Sequence, residues 1–323
     1  MEFKKLENAK IPVLGIGTWG MGGWISADYS HDVGYINAIK TALKVGITHI
    51  DTAEVYGNGH AEELIGKAIK GFGRDKLFIT SKVYRNHLHY SDVINSAKNS
   101  LKRMNCRYID LYLIHWPNPN IPLKETMRAI DYLVKKKIVK FIGVSNFSLK
   151  LLKEAQKCTK NKIVANQVEY NLLKREPEKN LLKYCQEKGI FLIAYQPLAG
   201  GKLAHSGFKF LDELAEKYKK TPAQIAINWL ISKQNVITIP KASAEHIKED
   251  ISALGWKLSK KDAENLGKYF FKFWFISNFI GKPVRFLRDC VMRIIPESKM
   301  EKFERFYDST IIKIKNSIRN LLK

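Results

Sequence analysis

The sequence of 323 residues predicts an α/β protein: a (β/α)8 (TIM) barrel with an N-terminal β-hairpin and a C-terminal helical, basic extension. Three observations lead to this prediction. Short apolar runs alternate with stretches of helical periodicity from residue 14 to about 254, which is typical of a parallel sheet. There are eight such runs, the number of strands that closes a barrel. The chain is also 45% hydrophobic and 27% charged, which provides a large core and excludes a disordered, collagen-like or disulfide-built protein.

The eight strands are predicted from short runs of apolar and β-branched residues. In chain order these runs cover residues 14–17, 47–50, 77–80, 109–114, 141–144, 163–168, 190–194 and 236–239. Amphipathic segments separate them, at residues 36–45, 61–69, 93–104, 126–135, 149–157, 180–188 and 223–231. Helix N-caps are expected at Ser91-Asp92, at Ser148 and at Thr221, where Pro222 would be the first helical residue.

The two ends of the chain differ from the barrel. The first eleven or so residues fit a short hairpin that closes the bottom of the barrel. The last 56 residues contain 13 basic and 5 acidic residues, so we divide the chain into a barrel, residues 1–267, and an extension, residues 268–323. We find no secretory signal, no apolar stretch of the roughly 18–20 residues that a membrane span needs, and four widely spaced cysteines. These features predict a cytoplasmic protein with reduced thiols.

The net charge of +24 is the unusual feature of the composition. Such a surface attracts anionic cofactors, nucleic acid or acidic lipid. The basic residues are spread along the chain without an RNP, helix-turn-helix or zinc pattern, so a nucleic-acid partner is not expected. The histidines form no HExxH or similar pair, and we expect no metal site.

Residues 15–20 match the G-x-G-x-x-G pattern of Rossmann dinucleotide-binding domains. That pattern requires a helix to begin at once, packed against the third glycine. Here two further glycines and Trp24 follow, and helical periodicity resumes only around Val33. We therefore interpret the segment as a glycine-rich loop at the barrel rim.

Ionisable residues follow three successive predicted strands. Asp51 follows the run 47–50, Lys82 comes just after the next run, and His115 follows the third. They are 31 and 33 residues apart, about one βα unit each. In a barrel all three lie at the C-terminal rim, where catalytic groups gather, and Tyr56 comes five residues after Asp51. The pattern predicts an active site that contains these four residues.

The four side chains suit general-acid chemistry. A free tyrosine has a pKa of about 10, and an adjacent lysine ammonium favours the phenolate and lowers that pKa. Asp51 can supply the counter-ion that a half-buried Lys82 needs, and His115 can orient a carbonyl oxygen by donating a hydrogen bond. A site of this kind protonates a developing alkoxide, as the reduction of a carbonyl by hydride requires.

The order and spacing of seven segments resemble the aldo-keto reductase family. The segments are DTAEVYGNGHAEELIGKAI, TSK, LIHWP, IGVSNF, QVEYN, AYQPLAGG and IPKAS. Each motif alone is weak, but seven in register are specific, and the resemblance covers about residues 3–266. It implies a barrel enzyme that reduces aldehydes or ketones to alcohols by hydride transfer from NAD(P)H. The family's catalytic tetrad falls on Asp51, Tyr56, Lys82 and His115, with Tyr56 as the general acid.

The resemblance also implies the residues that contact the cofactor and the substrate. Ser145, Asn146 and Gln167 would hold the nicotinamide carboxamide, and Tyr195 would stack on the ring. The implied cofactor contacts are Gly17, Thr18, Trp19, Asp51, Ser145, Asn146, Gln167, Tyr195, Gln196, Pro197, Leu198, Gly200, Lys241, Ala242, Ser243, His246 and Asp250. The small-molecule carbonyl substrate would contact Trp24, Tyr56, His115 and Trp116.

The residues expected near the adenosine phosphate depart from the family pattern. Ala242 stands where Ser or Thr commonly follows the lysine in members that favour NADP, and His246 stands where an arginine is common. Asp250 replaces an asparagine that touches adenine, and its carboxylate disfavours a 2′-phosphate. Lys241 and the basic surface favour that phosphate. We expect NADP as the cofactor, with NAD as the alternative.

The extension has two interpretations. Residues 269–279 are rich in aromatic side chains, and basic, apolar segments follow. Either they fold back as helices over the barrel mouth, or they lie on an anionic membrane surface with Phe and Trp inserted. An alternative function is therefore a cofactor-binding barrel with little turnover that acts as a membrane-associated redox sensor or partner subunit. The sequence predicts neither the physiological substrate nor the oligomeric state.

Overall fold

The computed structural model describes residues 1–6, 9–241, 243 and 245–276. The chain starts with an antiparallel hairpin of β1 (Phe3–Leu6) and β2 (Ala9–Pro12). Ile11 of β2 is fully buried in the same cluster as Phe78 and Ile237, which lie near the start of two barrel strands. The hairpin therefore covers the end of the barrel at which the strands begin, as predicted.

Eight parallel strands follow the hairpin and form one sheet in chain order. They are β3 (Gly15–Gly17), β4 (His49–Asp51), β5 (Phe78–Val83), β6 (Ile109–Ile114), β7 (Val139–Ser145), β8 (Ile163–Glu169), β9 (Phe191–Tyr195) and β10 (Val236–Ile239). Bridges between Leu14 and Thr238 and between Gly17 and Lys241 join the two ends of the sheet. The sheet thus closes, which confirms the predicted (β/α)8 barrel.

Helices connect the strands within the described residues. They are α1 (Asp32–Lys44), α2 (His60–Ala68), α3 (Tyr90–Met104), α4 (Leu123–Lys135), α5 (Leu149–Lys157), α6 (Leu181–Lys188), α7 (Lys209–Tyr218), α8 (Pro222–Ile231), α9 (Ile247–Ile251) and α10 (Lys260–Ile276). The sequence analysis did not place α7 or the start of α10. Helices α7 and α10 pack against each other, with the rings of Phe210 and Tyr269 5.8 Å apart.

Two of the three predicted helix N-caps are present. The Ser148 hydroxyl accepts a hydrogen bond from Leu151 N (3.3 Å) at the start of α5. Thr221 and Gln224 form a capping box at α8, with Pro222 as the first helical residue. These caps satisfy backbone N–H groups that have no partner within the helix.

The third predicted cap, at Ser91-Asp92, is wrong. Helix α3 begins earlier, at Tyr90, with no side-chain cap. Tyr90 N instead donates to Glu125 Oε1 of α4 (2.9 Å). Glu125 of the neighbouring helix satisfies this N–H. The start of α3 is therefore set by a contact with α4 and not by the local capping residues.

Apolar side chains form two layers that alternate along each strand. In β6, Leu111 and Leu113 belong to the cluster inside the barrel, together with Ile193. Tyr112 and Ile114 belong to the cluster between the strands and the helices. Since apolar side chains fill the interior, polar groups can meet at the strand ends above them.

The glycine-rich segment 15–20 does not open a helix, because α1 begins only at Asp32. Gly22 and Gly23 adopt positive φ angles of 67° and 102°, and a Cβ on Gly23 would overlap the carbonyl oxygen of Ser26. The segment is a tight rim loop that needs glycine, and the closed barrel excludes the Rossmann alternative.

Helix α10 continues through the predicted boundary at residue 267 and is described as far as Ile276. The remainder of the extension, residues 277–323, lies outside the described residues, as does Ala242. The domain boundary and both interpretations of the extension therefore stay predictions. Among helices in the described ranges, none is both long enough and apolar enough to cross a membrane.

Candidate active site

The rim of the barrel brings the four predicted catalytic residues together. Asp51 ends β4 and is paired with Thr80 of β5. Lys82, two residues further along β5, is paired with Leu113 of β6. His115 directly follows β6. Because these strands are parallel neighbours, their carboxyl ends place the three polar side chains at one edge of the barrel.

A buried lysine connects Asp51 to Tyr56. The Lys82 ammonium donates to Asp51 Oδ1 (2.5 Å), to Thr52 O (2.7 Å) and to Tyr56 Oη (3.3 Å). Lys82 is fully buried, and each of its three hydrogens has an acceptor. Gln167 Nε2 donates to the second carboxylate oxygen of Asp51 (2.7 Å). Both carboxylate oxygens are therefore held, and they fix the ammonium beside the phenol.

Burial and mutual charge set the pKa values of this cluster. Burial alone would lower the pKa of Lys82, but Asp51 and Tyr56 outweigh it and raise that pKa above its ordinary value. Burial raises the pKa of Asp51, and its contacts with Lys82 and Gln167 oppose that rise. The ammonium is therefore charged at neutral pH and has the Asp51 carboxylate as its counter-ion.

Tyr56 differs from the sequence expectation. Burial raises its pKa, and the Lys82 ammonium opposes this rise without cancelling it. The sequence analysis expected the lysine to lower the pKa below the ordinary value. The phenol is only 9% exposed, so the loss of water around its anion outweighs the attraction of one cation. Tyr56 is therefore a protonated acid at neutral pH.

His115 lies against Tyr56, with the two rings edge to face and their centroids 5.6 Å apart. Burial, together with the charge of Lys82, lowers the pKa of His115 to about 3, so the imidazole is neutral. Its Nδ1 is buried without a hydrogen-bond partner among the described residues. A buried N–H without an acceptor is rarer than a buried acceptor without a donor, so we assign the hydrogen to Nε2.

A tight turn, Tyr56–Gly59, presents the phenol. Gly57 and Asn58 have left-handed backbone angles, with φ of 55° and 51°. A Cβ on Gly57 would overlap the carbonyl oxygen of Gly22, so glycine is required where this turn meets the glycine-rich rim loop. Gly57 N also donates to Trp24 O (3.3 Å). The backbone therefore couples the turn that carries Tyr56 to the loop that carries Trp24.

The residues predicted to hold the carboxamide form a connected polar row. Ser145 of β7 is paired with Gln167 of β8. Asn146 Nδ2 donates to His115 O (3.1 Å) and to Ser145 Oγ (3.0 Å). Asn146 Oδ1 accepts from Tyr195 Oη at the end of β9 (3.0 Å). The row continues the buried cluster along the rim, on the side away from the Tyr56 turn.

Gly17 and Thr18 are buried and use their polar groups inside the rim. Gly17 N donates to Pro240 O (2.7 Å). Thr18 donates from its backbone nitrogen (3.0 Å) and its hydroxyl (3.1 Å) to Asp51 O. The two bonds from Thr18 position the end of β4, and with it the Asp51 side chain.

Three tryptophans are exposed at the rim. The rings of Trp19 and Trp24 pack edge to face, with centroids 4.5 Å apart, and Trp116 directly follows His115. Roughly half of each side chain is exposed (48%, 58% and 44%). Large exposed apolar groups of this kind are typical of a binding surface. The predicted substrate contacts, Trp24 and Trp116, therefore lie where a ligand can reach them.

The predicted pyrophosphate border is the turn after β9. Gln196 and Gly200 are exposed and have positive φ angles of 50° and 66°. Pro197 is buried and Leu198 is half-buried. At this part of the rim the turn thus presents the Gln196 side chain and the backbone of Gly200.

The predicted adenosine end follows β10. Lys241 is exposed, with Nζ 5.8 Å from the centre of the Trp24 ring. The backbone carbonyl of Ser243 accepts a hydrogen bond from His246 N (3.2 Å). The His246 ring is exposed, and its Nδ1 lies 3.5 Å from Glu249 Oε2. Asp250 is buried, and its Oδ1 has no partner in the described part of the chain. Burial, with a smaller effect of Glu249, raises the pKa of Asp250 to about 7.

Sequence reasoning missed Glu54, two residues before Tyr56. Its Oε1 accepts from Tyr84 N (2.6 Å) and contacts His87 Nδ1 (3.0 Å), while Glu54 N donates to Lys82 O (3.3 Å). These bonds attach the loop that carries Tyr56 to β5. The sequence did offer a signal for Glu54, because this carboxylate lies between Asp51 and Tyr56, which were both assigned to the site.

Glu62 of α2 was also missed. Its side chain is fully buried and accepts from Ser81 Oγ (2.6 Å) and from Arg103 Nε (2.7 Å). Burial raises the pKa of Glu62, and Arg103 opposes that rise. Because Ser81 immediately precedes Lys82, Glu62 supports the strand that carries the ammonium. Its neighbour Glu63 is partly exposed, so the sequence gives no sign of which carboxylate is buried.

Within the ranges that the structure describes, no three His, Cys, Asp or Glu side chains are grouped to hold a metal ion. His87 and His89, the closely spaced pair in the loop before α3, contact Glu54 and Glu125 respectively. These histidines have separate carboxylate partners and do not converge on one point.

Comparisons with known proteins add to these observations. The model of the aldo/keto reductase family matches residues 13–269. The methylglyoxal reductase YeaE of Escherichia coli is 35% identical over 266 residues, 81% of this chain and 92% of that protein. A thermostable aldo-keto reductase, solved with the inhibitor epalrestat, is 47% identical with a TM-score of 0.81, covering 83% of this chain and 99% of that one. An aldo/keto reductase of Klebsiella pneumoniae, solved with NADP and acetate, is 34% identical with a TM-score of 0.74. The match covers 82% of this chain and 93% of that one.

Proposed function

The chain belongs to the aldo/keto reductase family, and from this premise we propose that it reduces small aldehydes or ketones to alcohols with NADPH. The observation that supports the proposal most directly is the contact of the Lys82 ammonium with both Asp51 (2.5 Å) and Tyr56 (3.3 Å) at the rim. This contact pairs a weak acid with a fixed positive charge, which is what protonation of an alkoxide requires.

Tyr56 is the general acid in this proposal. Its hydroxyl transfers the proton from Oη to the substrate oxygen as that oxygen becomes an alkoxide. The Lys82 ammonium stabilises the phenolate that remains, because a fixed charge has a large effect in a site without water. Asp51 keeps Lys82 charged, and Gln167 holds Asp51 in place. His115 Nε2–H donates to the carbonyl oxygen and orients it, and the neutral ring adds no competing acid.

NADPH, when bound, supplies the hydride that the carbonyl carbon accepts. The residues present suit a dinucleotide. The polar row of Ser145, Asn146 and Gln167 would hold the carboxamide, and the Tyr195 ring would lie against the nicotinamide. Lys241 is an exposed cation without a carboxylate partner among the described residues, and it would face the adenosine phosphate. The Klebsiella structure with NADP supports this cofactor, and NAD is the alternative because Asp250 disfavours a 2′-phosphate.

Small 2-oxoaldehydes are the substrate class that we propose to test first. A relative of 35% identity is a methylglyoxal reductase. The buried Lys82 ammonium lies beside the position proposed for the substrate oxygen, and the exposed indoles of Trp24 and Trp116 border it. The first substrate panel should therefore contain methylglyoxal, together with aromatic aldehydes and simple ketones.

Steady-state oxidation of NADPH with this panel tests the function. We expect saturable turnover and a higher kcat/KM with NADPH than with NADH. Tyr56→Phe should lower kcat by at least about 100-fold while the cofactor Kd changes by less than about twofold, because the hydroxyl acts mainly in the transition state. Ordinary turnover of Tyr56→Phe would show that another group is the acid. A higher kcat/KM with NADH would reverse the cofactor preference.

The alternative function, a barrel with little turnover that acts as a membrane-associated redox sensor or partner subunit, makes the opposite prediction. It requires cofactor binding without measurable reduction of any carbonyl in the panel. No observation in the described residues favours it over the reductase.

A further inference from the structure

A groove lies at the hairpin end of the barrel, opposite the rim. Its walls are the hairpin, the loop that follows α8, and one side of α10, and its volume is about 1220 Å³. We call it the basal groove. Because it lies at the end where the barrel strands begin, it is separate from the site of the proposed reaction.

The edge of the basal groove carries unneutralised positive charge. The exposed lysines that line it are Lys257, Lys260, Lys268 and Lys272. None of the four has an ion-pair partner within the described residues. Of the two carboxylates in the lining, Glu2 already accepts from Gly255 N (2.8 Å), and Glu264 is exposed. Even together, these two carboxylates cannot balance four ammonium groups.

The cations in the floor of the groove are already occupied by protein groups. Lys4 Nζ donates to three backbone carbonyls, and Lys233 Nζ lies 4.0 Å from the centre of the Trp229 ring. Arg175 donates to Gly267 O and to Glu178. The groove therefore attracts anions with the four lysines of its edge and not with its floor.

Aromatic side chains stand beside these lysines. Phe3 and Phe271 line the basal groove and are 50% and 47% exposed. Besides its cations, the floor contains three buried apolar side chains, Val13, Ile231 and Leu258. Exposed phenylalanines flanked by lysines are the combination that favours the boundary between lipid headgroups and acyl chains.

We propose that the basal groove is a docking surface for an anionic membrane. The four lysines contact phosphate and carboxylate headgroups, and Phe3 enters the interface. Charge complementarity selects this occupant. Residues 277–323 contain 11 basic and 5 acidic residues, and a second copy of the chain has a net charge of +24, so neither complements the charge of the groove. The apolar side chains of the groove favour lipid over nucleic acid, because nucleic acid has no aliphatic chains that could contact them.

The orientation of the barrel follows from this docking. With the basal groove on the bilayer, the catalytic rim faces the aqueous phase at the far end of the barrel. Membrane contact should then leave the turnover of a water-soluble aldehyde unchanged. The docking and the reductase function can therefore be tested independently.

Vesicle co-sedimentation of the full chain tests the proposal. The vesicles are pure phosphatidylcholine, or phosphatidylcholine with about 30% phosphatidylserine, the range in which anionic lipid creates a strong surface potential. We expect binding to the anionic vesicles only. The variant with Lys257→Glu, Lys260→Glu, Lys268→Glu and Lys272→Glu should lose at least about tenfold in partition coefficient.

A matched variant controls for net charge. It carries Lys98→Glu, Lys102→Glu, Lys124→Glu and Lys150→Glu, four exposed lysines of α3, α4 and α5 on the other side of the barrel. It has the same charge change and should lose no more than about threefold, since its lysines do not face the bilayer. Phe3→Ser should weaken binding without any charge change.

Three results would overturn the proposal. The first is an equal loss in the two lysine variants, because binding would then depend on overall charge or on residues 277–323. The second is equal binding of the parent chain to both kinds of vesicle. The third is that the variant with the four groove lysines replaced loses affinity for a fluorescent oligonucleotide but keeps its affinity for anionic vesicles. The groove would then bind nucleic acid and not lipid. Each variant's carbonyl reduction, or its thermal unfolding if no carbonyl is reduced, serves as the check that it is folded.

Discussion

Asp51 and Asp250 are both buried carboxylates of the rim, but their surroundings differ. Asp51 has a cation at 2.5 Å and an amide donor at 2.7 Å. Asp250 has an oxygen without a partner in the described part of the chain, and burial raises its pKa to about 7. An ionised carboxylate is therefore compensated at one position and costs stability at the other.

Asp250→Asn should stabilise the protein at alkaline pH. The folded state holds the Asp250 proton up to about pH 7, whereas the unfolded chain releases it near its ordinary value of 3.8. Stability is therefore lost as the pH rises from about 4 to 7, and it is not regained above. We expect the variant to exceed the parent by on the order of 3 kcal/mol at pH 8 and by much less at pH 4.5. Urea unfolding at both pH values measures this, and a difference independent of pH would contradict it.

The clustering of the proposed catalytic residues could be predicted because their signal is positional. Asp51, Lys82 and His115 each follow a buried run, and parallel strands bring such positions to one edge. The pKa direction of Tyr56 could not be predicted, because it depends on how much water the folded rim removes. The bond from Gln167 to Asp51 joins residues 116 positions apart, and no local pattern encodes it.

A buried ion pair joins three elements beneath the site. Glu62 of α2 accepts from Arg103 of α3 and from Ser81 of β5, and Glu62 is fully buried. Removing the Arg103 cation leaves the Glu62 carboxylate unpaired in the interior. This lowers the free energy of unfolding far more than the loss of an exposed ion pair does. The Glu62 pair is therefore the ionic contact that sets how α2 and α3 pack on β5.

Arg103→Ala should lower the free energy of unfolding by about 3–5 kcal/mol at pH 7. Lys67→Ala serves as the control, because Lys67 of α2 contacts Asp32 at 3.4 Å with a side chain that is 54% exposed. Exposed pairs contribute about 1 kcal/mol or less. Chemical unfolding of both variants gives the comparison, and similar losses would mean that Glu62 keeps access to water.

Elements were predicted well where the repeating strand–helix unit generates them. The run 109–114 matches β6 and the segment 149–157 matches α5 at both ends. Helices α7 and α10 lie outside that unit and complete each other's apolar faces, so neither has a strong signal of its own. The start of α3 was missed for a related reason, since Glu125 of another helix satisfies its first N–H.

For the molecule as a whole, the Lys4 side chain is one of the contacts that attach the hairpin to the last part of the barrel. Lys4 Nζ donates to Ile231 O (2.8 Å), Lys233 O (2.6 Å) and Val236 O (2.6 Å). These carbonyls belong to the last residue of α8, to the loop that follows it and to the first residue of β10. A contact between residues more than 220 positions apart thus holds the N-terminus against the base of the barrel.

Lys4→Met should lower the free energy of unfolding by about 2–4 kcal/mol, because three carbonyls lose a charged donor at once. Its neighbour Lys5 is exposed, so Lys5→Met should change stability by less than about 0.5 kcal/mol. Thermal or urea unfolding distinguishes the two. Equal effects would mean that the hairpin does not depend on this lysine.

The full enclosure of Lys82 has a consequence for the order of events in a turnover. All three of its hydrogens are committed and no solvent reaches it, so it cannot carry a proton in from the bulk. In the proposed mechanism, once Tyr56 has given up its hydrogen, the replacement must enter through the mouth of the barrel. We expect the alcohol to depart before the acid is reloaded, so that resetting the enzyme belongs to product release and not to the chemical step.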